Sequence, residues 1–186
     1  MSMKDSKENF EVELKWILDH LKEPEDGKKM IVYVRSINLC YRIYLWLTTE
    51  LMDVNEELVK RIQMFHANTD SETKEKIMLN FVTNCIMDSG IQLLISTVAF
   101  GLGVHITDID IVIHWGLPST ALDYWQEIGR CARDGRTGHA ICYVFKSVAK
   151  CEDNAFIETA KVDRCIRVCV LSQFLLEGMD RTALDK

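Results

Sequence analysis

Apolar residues recur along this chain first at helical spacing and then in a short continuous run, and the alternation persists for most of its length. The first helical set consists of Phe10, Leu14, Ile17, Leu18 and Leu21. A Glu-Pro-Glu-Asp-Gly turn ends this predicted helix before the apolar run 30–34, which predicts a buried strand. The chain therefore opens with a helix, a turn and a strand.

The same patterns predict the elements that follow. Helices are predicted over 37–51, from 69 to about 81, and from 120 to about 131. Thr69 and Glu72 have the spacing of a capping box, which predicts where the second of these helices begins. Further strands are predicted at 62–65, 91–95, 109–113 and 140–145. After Ser147, an amphipathic stretch over 162–174 is expected to pack against the sheet or a neighbour.

Strands that alternate with helices in this way are typical of βαβ units. We therefore predict an α/β fold of three layers, with a mostly parallel central sheet and helices on both faces. Ligands of such sheets collect outside the carboxyl ends of the strands. The 186 residues fit one domain, with an N-terminal helix and lead-in at 1–28, the main lobe at 29–147 and a helical extension at 148–186.

Composition and charge restrict the possible functions. No apolar run approaches the roughly 18 residues that span a bilayer, so no membrane partner is expected. The charged start of the chain does not resemble a signal peptide, which predicts an intracellular protein, nuclear in a eukaryote. The net charge of −6 argues against binding nucleic acid through bulk attraction. Any contact with nucleic acid must therefore be local.

The seven cysteines include no CxxC pair, and most are expected to be reduced core thiols. Cys165 and Cys169 are spaced i, i+4 and could place two metal ligands on one helical face. No two further ligands lie near them in sequence. A metal site is therefore disfavoured.

Two segments place polar groups after apolar strands. In the first, Ser96 and Thr97 precede Gly101 and Gly103, a composition that lets backbone amides approach a phosphate closely. The alternative is a turn whose glycines only supply unusual backbone angles. In the second, 126–136, three arginines crowd a helix end.

Arg130 and Arg133 of the second segment are spaced i, i+3, so both guanidinium groups can point to one anion such as a nucleotide polyphosphate. The alternative is an exposed helix end with surface ion pairs and favourable helix-dipole interactions. Composition alone leaves both interpretations open.

Together the two segments resemble motifs V and VI of RecQ-type DNA helicases, a branch of superfamily two. That family runs AT-x-AFGMGIDKPDVR-x-VIH, then LP, then YYQE-x-GRAGRDG. This chain has STVAFGLGVHITDIDIVIH, then GLP, then DYWQEIGRCARDG. Upstream, 30–36 with the helix after it resembles motif IV, and Phe65-His66-Ala67 resembles the family's YHAGL segment. The resemblance covers about residues 10–147 in the right order.

The resemblance implies a C-terminal RecA-like lobe, a P-loop NTPase-type fold, that closes over ATP and Mg²⁺ held mainly by an N-terminal RecA-like lobe. It implies that Arg133 is an arginine finger with Arg130 as its companion. Gln126 would orient water or phosphate, and Glu127 would hold an arginine in place. Gly101 and Gly103 would line the cleft between the lobes. Positive charge supplied across a cleft is what phosphoryl transfer requires.

The resemblance also implies single-stranded DNA as a partner. Ser96 and Thr97 of motif V would contact the DNA backbone, and Arg35, Ser36 and Asn38 of motif IV would add contacts. Pairing of Arg35 with a surface carboxylate is an equal alternative. The histidine of the YHAGL-like segment is expected to be structural rather than catalytic.

The chain departs from the family pattern in several places. His105 replaces the aspartate that meets the nucleotide ribose in related helicases, which puts ribose recognition in doubt. Cys131-Ala132 replaces the usual Ala-Gly, and we expect the backbone there to remain helical. Cys165 occupies the position of the first ligand of the RecQ zinc module, but the other ligands are missing, so no zinc is expected.

The sequence has no GxxxxGK[ST] loop and no DExH box, so the isolated chain is expected not to hydrolyse ATP. Two classes of function remain. One is the second lobe of an ATP-dependent DNA helicase, and the other is a non-catalytic docking or weak single-strand-binding module. An RNA helicase lobe of the DEAD-box branch is a third alternative.

Overall fold

A computed structural model describes residues 9–23, 27–83, 90–97, 109–133, 135–145 and 166–175. Its strands are β1 Met30–Val34, β2 Ile62–Phe65, β3 Leu93–Thr97, β4 Ile111–Trp115 and β5 His139–Tyr143. Its helices are α1 Phe10–Glu13, α2 Lys15–Lys22, α3 Ile37–Met52, α4 Glu56–Val59, α5 Ser71–Thr83, α6 Ala121–Ile128 and α7 Ile166–Ser172.

The five strands form one sheet in the order β2-β3-β1-β4-β5, and all four pairings are parallel. The central strand β1 is buried along its whole length because it has a strand on each side and helices over both faces. The register sets Val34 beside Thr97 of β3 and beside Trp115 of β4. The carboxyl ends of these strands therefore meet at one edge.

Alternate residues of each strand face opposite helical layers. Val32 and Ile95 join the cluster formed with α1 to α4, whereas Ile31 and Leu94 join the cluster formed with α5 and the end of α6. Val170 of α7 is fully buried in a third cluster, which also includes Leu117, Ala121, Tyr124 and Val144. This confirms the predicted packing of the C-terminal amphipathic stretch for its described part.

The predicted fold class is confirmed, and β1 and β2 have the predicted bounds. Two other strands were placed too early, since β3 and β4 each begin and end two residues later than predicted. Ser96 and Thr97 are consequently the last residues of β3 rather than the residues after it. The fifth strand begins one residue and ends two residues before its predicted bounds.

Three predictions about helices are wrong. The first predicted helix is interrupted at Leu14 into α1 and α2, although the five apolar residues that predicted it are all buried. The capping box at Thr69 does not form, because α5 is capped by Asp70, whose Oδ1 accepts the Thr73 N–H at 2.9 Å. The Thr69 hydroxyl oxygen instead lies 3.3 Å from the backbone nitrogen of His66 and 3.4 Å from its Nδ1.

The third error concerns the arginine segment. Helix α6 ends at Ile128, and the backbone of Ala132 has a φ of 52°, in the left-handed region. The expectation of a helical backbone at Cys131-Ala132 is therefore wrong. Within the described parts of the chain, no helix is long and apolar enough to cross a membrane.

Candidate functional site

The residues predicted to contact DNA come together at the carboxyl edge of the sheet. Arg35, Ser36 and Asn38 follow β1 and are exposed, and Thr97 ends the neighbouring strand in register with Val34. Ser36 is also the N-cap of α3, where its hydroxyl oxygen accepts the Leu39 N–H at 3.2 Å. The edge therefore presents polar side chains beside the N-terminus of a 16-residue helix.

Ser96 differs from the other members of this set because it is fully buried. Its hydroxyl lies 3.0 Å from the carbonyl oxygen of Phe65 and 2.7 Å from that of Thr97. The hydroxyl thus ties β3 to the end of β2. It would have to exchange these bonds to reach a ligand, whereas Thr97 is half-buried at the edge.

Gly101, Gly103, His105 and Cys165 lie outside the described residues. Their predicted roles at the interlobe cleft, the ribose and a zinc module stay predictions.

Helix α6 carries the second group of predicted site residues. It begins at a capping box, in which Thr120 Oγ1 accepts the Asp123 N–H at 3.0 Å and Asp123 Oδ2 accepts the Thr120 N–H at 3.2 Å. Glu127 faces the sheet and is buried, while Gln126 beside it is exposed. The helix therefore separates a buried polar face from a solvent-facing one.

A cluster of polar and aromatic side chains lies between α6 and the sheet. His114 of β4 is 1% exposed, stacks on Tyr33 of β1 with ring centroids 5.3 Å apart, and contacts Tyr124 at 5.2 Å. Its Nε2 lies 2.7 Å from Glu127 Oε2. The described partner of Glu127 is thus a histidine rather than the arginine that the resemblance implied.

Arg130 and Arg133 both lie near the edge of this cluster. Burial raises the pKa of the Tyr33 phenol well above its ordinary value, and the positive charges of Arg130 and, to a smaller extent, Arg133 offset part of that rise. The predicted convergence of the two guanidinium groups on one anion stays a prediction.

The two arginines differ in exposure. Arg130 is half-buried, and its Nε is buried with no hydrogen-bond partner among the described residues. Arg133 is exposed, with its Nε donating to the Gly129 carbonyl at 2.6 Å. A buried guanidinium N–H without a partner fits an anionic group such as a phosphate.

The third arginine of the segment is not part of this pair. Arg136 Nη1 lies 2.9 Å from Asp110 Oδ1, at the start of β4. Sequence reasoning missed this contact, and it also missed Tyr33 and His114. A polar residue within an apolar strand is the signal that could have identified the two ring residues.

Cys40, Cys131 and Cys142 are free thiols. Burial raises the pKa of Cys40 and of Cys142 to about 12, which keeps both thiols protonated at neutral pH. Of the three, only Cys40 is fully buried, and the other two are half-buried. Across the described ranges, no group of three His, Cys, Asp or Glu side chains is arranged to hold a metal ion.

The family of helicase conserved C-terminal domains matches residues 12–135, more than half of the chain. The putative ATP-dependent RNA helicase R290 of Acanthamoeba polyphaga mimivirus is 39% identical over 82 residues, or 44% of this chain and 14% of that protein. The RecQ-like DNA helicase blm-1 of Caenorhabditis elegans is 26% identical over 125 residues, or 67% and 11%. The putative ATP-dependent DNA helicase Q1 of Caenorhabditis briggsae is 30% identical over 127 residues, or 68% and 18%.

The family match and the similarity to RecQ-like helicases such as blm-1 confirm the resemblance to RecQ-type helicases. The chain spans less than a fifth of the length of each of the three relatives. Solved structures agree in fold. Domain 2 of the DEAD-box helicase Mss116p bound to an RNA duplex has a TM-score of 0.60 at 20% identity, covering 73% of this chain and 49% of that one. The DUF1998 helicase MrfA bound to DNA and AMPPNP has a TM-score of 0.61 at 20% identity, covering 75% and 18%.

Proposed function

Because this chain belongs to the family of helicase conserved C-terminal domains, we propose that it supplies an arginine finger and single-stranded DNA contacts to an ATP site completed by an N-terminal RecA-like lobe. The observation that carries this proposal is the half-buried guanidinium group of Arg130, whose Nε is buried with no described hydrogen-bond partner, three residues before the exposed Arg133. The lobe would be one half of a RecQ-type, ATP-dependent DNA helicase.

The two arginines would have different roles at the phosphates. Arg133 is exposed and would act as the finger, reaching across the cleft to the charge that develops during phosphoryl transfer. Arg130 is half-buried and would give a fixed second contact. Gln126, exposed one turn before Arg130, would orient water or phosphate. ATP with Mg²⁺ would be held mainly by the other lobe, which supplies the Walker elements that this sequence lacks.

The DNA contacts would be local rather than spread over a basic surface. Arg35, Ser36, Asn38 and Thr97 lie at the carboxyl edge of the sheet, and the N-terminus of α3 adds a positive dipole end beside them. Ser96 would contribute by supporting the end of β3 unless its hydroxyl changes partner. Such local contacts are compatible with the net charge of −6, which argues against binding of nucleic acid through bulk attraction.

The ATPase proposal is tested by combining the chain with a RecQ-type first lobe and measuring hydrolysis. Arg133→Ala is expected to lower kcat by about a thousandfold, the scale of an arginine finger supplied across a cleft. Arg167→Ala is the matched control, because Arg167 is an exposed arginine on α7. Equal hydrolysis by wild-type and Arg133→Ala assemblies would overturn the finger assignment.

A non-catalytic binding module is the second candidate, favoured by the acidic balance and by the internal bonding of the Ser96 hydroxyl. Titration with a labelled single-stranded oligonucleotide at two salt concentrations separates a DNA-contacting lobe from a pure docking module, and the hydrolysis assay above separates a helicase lobe from a weak single-strand-binding module. A lobe with phosphate contacts binds weakly with a clear salt slope, whereas a docking module does not bind. Competition between RNA and DNA tests the choice of nucleic acid.

A further inference from the structure

Asp110 occupies a junction at the amino edge of the sheet, where three strands begin. Its backbone N–H donates to the Lys29 carbonyl at 2.9 Å, and its own carbonyl accepts the His139 N–H at 2.8 Å. These bonds join the residue before β4 to the residue before β1 and to the first residue of β5. The main chain of Asp110 is therefore fixed from both sides.

The carboxylate of Asp110 extends this junction to the segment after α6. Oδ2 accepts the Lys29 N–H at 2.7 Å, and Oδ1 lies 2.9 Å from Arg136 Nη1. The Asp110 side chain is only 15% exposed, whereas that of Arg136 is 51% exposed. A largely buried carboxylate thus pairs with a more exposed guanidinium group.

The segment that Arg136 anchors also contacts the lead-in of β4 directly. The Ala132 N–H donates to the Ile109 carbonyl at 2.8 Å, and Cys131 Sγ lies 3.2 Å from the Asp110 carbonyl oxygen. Ala132 has its φ in the left-handed region, which is unfavourable for a residue that has a β-carbon and no polar side chain. Such a conformation persists only when surrounding contacts impose it.

We propose that the Asp110–Arg136 ion pair is a clip that holds the backbone after α6 in the conformation that presents Arg130 and Arg133. Asp110 is then a positioning residue, acting on the phosphates only through the arginines. The catalytic part of this inference rests on the proposed function. The structural part, that the clip fixes the Ala132 backbone, does not depend on it.

The structural part is tested by amide hydrogen exchange on the 186-residue chain. Asp110→Asn keeps an oxygen for the Lys29 N–H but removes the charge, and Arg136→Gln removes the other partner. Each variant should speed exchange of the Ala132 amide by about tenfold, as expected when a hydrogen-bonded charge pair is lost. The double variant should be no faster than the faster single variant, because both changes break one interaction.

Glu57→Gln is the matched control, since it removes a carboxylate from an exposed ion pair with Lys60 elsewhere in the fold. It should leave Ala132 exchange unchanged. Unchanged exchange in both clip variants, or a double variant whose acceleration is the product of the singles, would overturn the clip.

The catalytic part is tested in the assembly with a first lobe. Asp110→Asn and Arg136→Gln should each lower kcat about tenfold with a smaller change in the KM for ATP, because small displacements of catalytic groups reduce the rate of the chemical step. Arg136→Lys keeps the positive charge and should recover most of the rate. A loss of folded protein would also lower the apparent kcat without changing KM, so each rate is divided by the concentration of folded enzyme before the variants are compared. Recovery by Arg136→Lys on that basis supports the positioning role.

Arg133→Ala is measured in the same series, so that a failure of the proposed function can be distinguished from a failure of the clip proposal. If Arg133→Ala hydrolyses ATP like the wild type, the proposed function is wrong, and the clip is judged on amide exchange alone. If Arg133→Ala is inactive while both clip variants keep the wild-type kcat, the positioning role of Asp110 is wrong.

Discussion

At the scale of single residues, Ala132 is under backbone strain between the two arginines. Its φ of 52° lies in a region that costs a residue with a β-carbon about 1–2 kcal/mol and costs glycine almost nothing. Ala132→Gly should therefore raise the free energy of unfolding by about 1 kcal/mol, after part of the gain is lost to the greater freedom of glycine in the unfolded chain. Denaturant unfolding measures this change.

Gly135 provides the opposite control for this strain. Its φ is 86°, and an added β-carbon would meet no atom within 4 Å, so Gly135→Ala introduces strain without a clash. This substitution should lower the free energy of unfolding by about 1 kcal/mol. Destabilisation by Ala132→Gly would show that the strain account is wrong.

Gly138 is constrained by space rather than by its backbone angles. A β-carbon there would overlap Cys131 Sγ and lie 2.8 Å from the Ala132 β-carbon. Gly138→Ala should therefore destabilise the fold by about 1–3 kcal/mol, the usual cost of overpacking. Thermal unfolding measures the loss, and adding Cys131→Ala should recover part of it because the sulfur is then absent. If the stability does not recover, the contact with Cys131 Sγ is not the cause of the destabilisation.

At the scale of elements, α6 is a short helix whose start is fixed by its capping box. The eight-residue helix carries Glu127 and leads into Arg130, so its first turn supports the whole arginine segment. Thr120→Ala removes the acceptor for the Asp123 N–H and should cost about 1 kcal/mol of unfolding free energy. Urea denaturation is the measurement.

Thr49→Ala is the matched control for the cap. Thr49 is an exposed threonine inside α3, where its hydroxyl donates to the Leu45 carbonyl, and alanine is the better helix former there. This change should leave stability nearly unaltered or raise it slightly. A loss equal to that of Thr120→Ala would mean that the capping box contributes nothing specific.

The apolar runs of β1 and β2 and the start of the helical pattern of α3 were read from the sequence with the bounds that the structure has. In the structure Ser36 caps α3 through a contact with Leu39, which is close to it in sequence. The end of β3 is set by pairing instead, because Val34 of β1 extends the ladder to Thr97. Similarly, α6 stops before Cys131 because that segment bonds to Ile109, a partner distant in sequence.

At the scale of the whole molecule, the alternation of helices and strands was sufficient to predict the three-layer fold. The roles predicted for Arg130 and Arg133 rest on the family resemblance and stay predictions. Tyr33, His114 and Asp110 were missed because their contacts join residues far apart in the sequence, such as Lys29 and Asp110. Only the folded sheet brings them together.

Burial raises the pKa of several thiol and phenol groups in this protein. It raises the pKa of Cys40 and of Cys142 from 9.0 to about 12 and that of Tyr124 from 10.0 to about 12, and it raises the pKa of Tyr33 as well. The folded state therefore keeps these groups protonated at a pH where the unfolded chain begins to ionise. A proton is bound more tightly in the folded state at each site.

Stability should consequently depend on pH above neutrality. The contribution of these groups is fully present below about pH 9, where the thiols are protonated in both states, and is lost as pH rises toward about 12. Urea midpoints at intervals from pH 7 to 11 should therefore fall above pH 9. Cys142→Ala removes one of these groups, so its midpoint should fall less steeply than that of the wild type. Parallel slopes for the two proteins would contradict the assignment of this titration to the buried thiol.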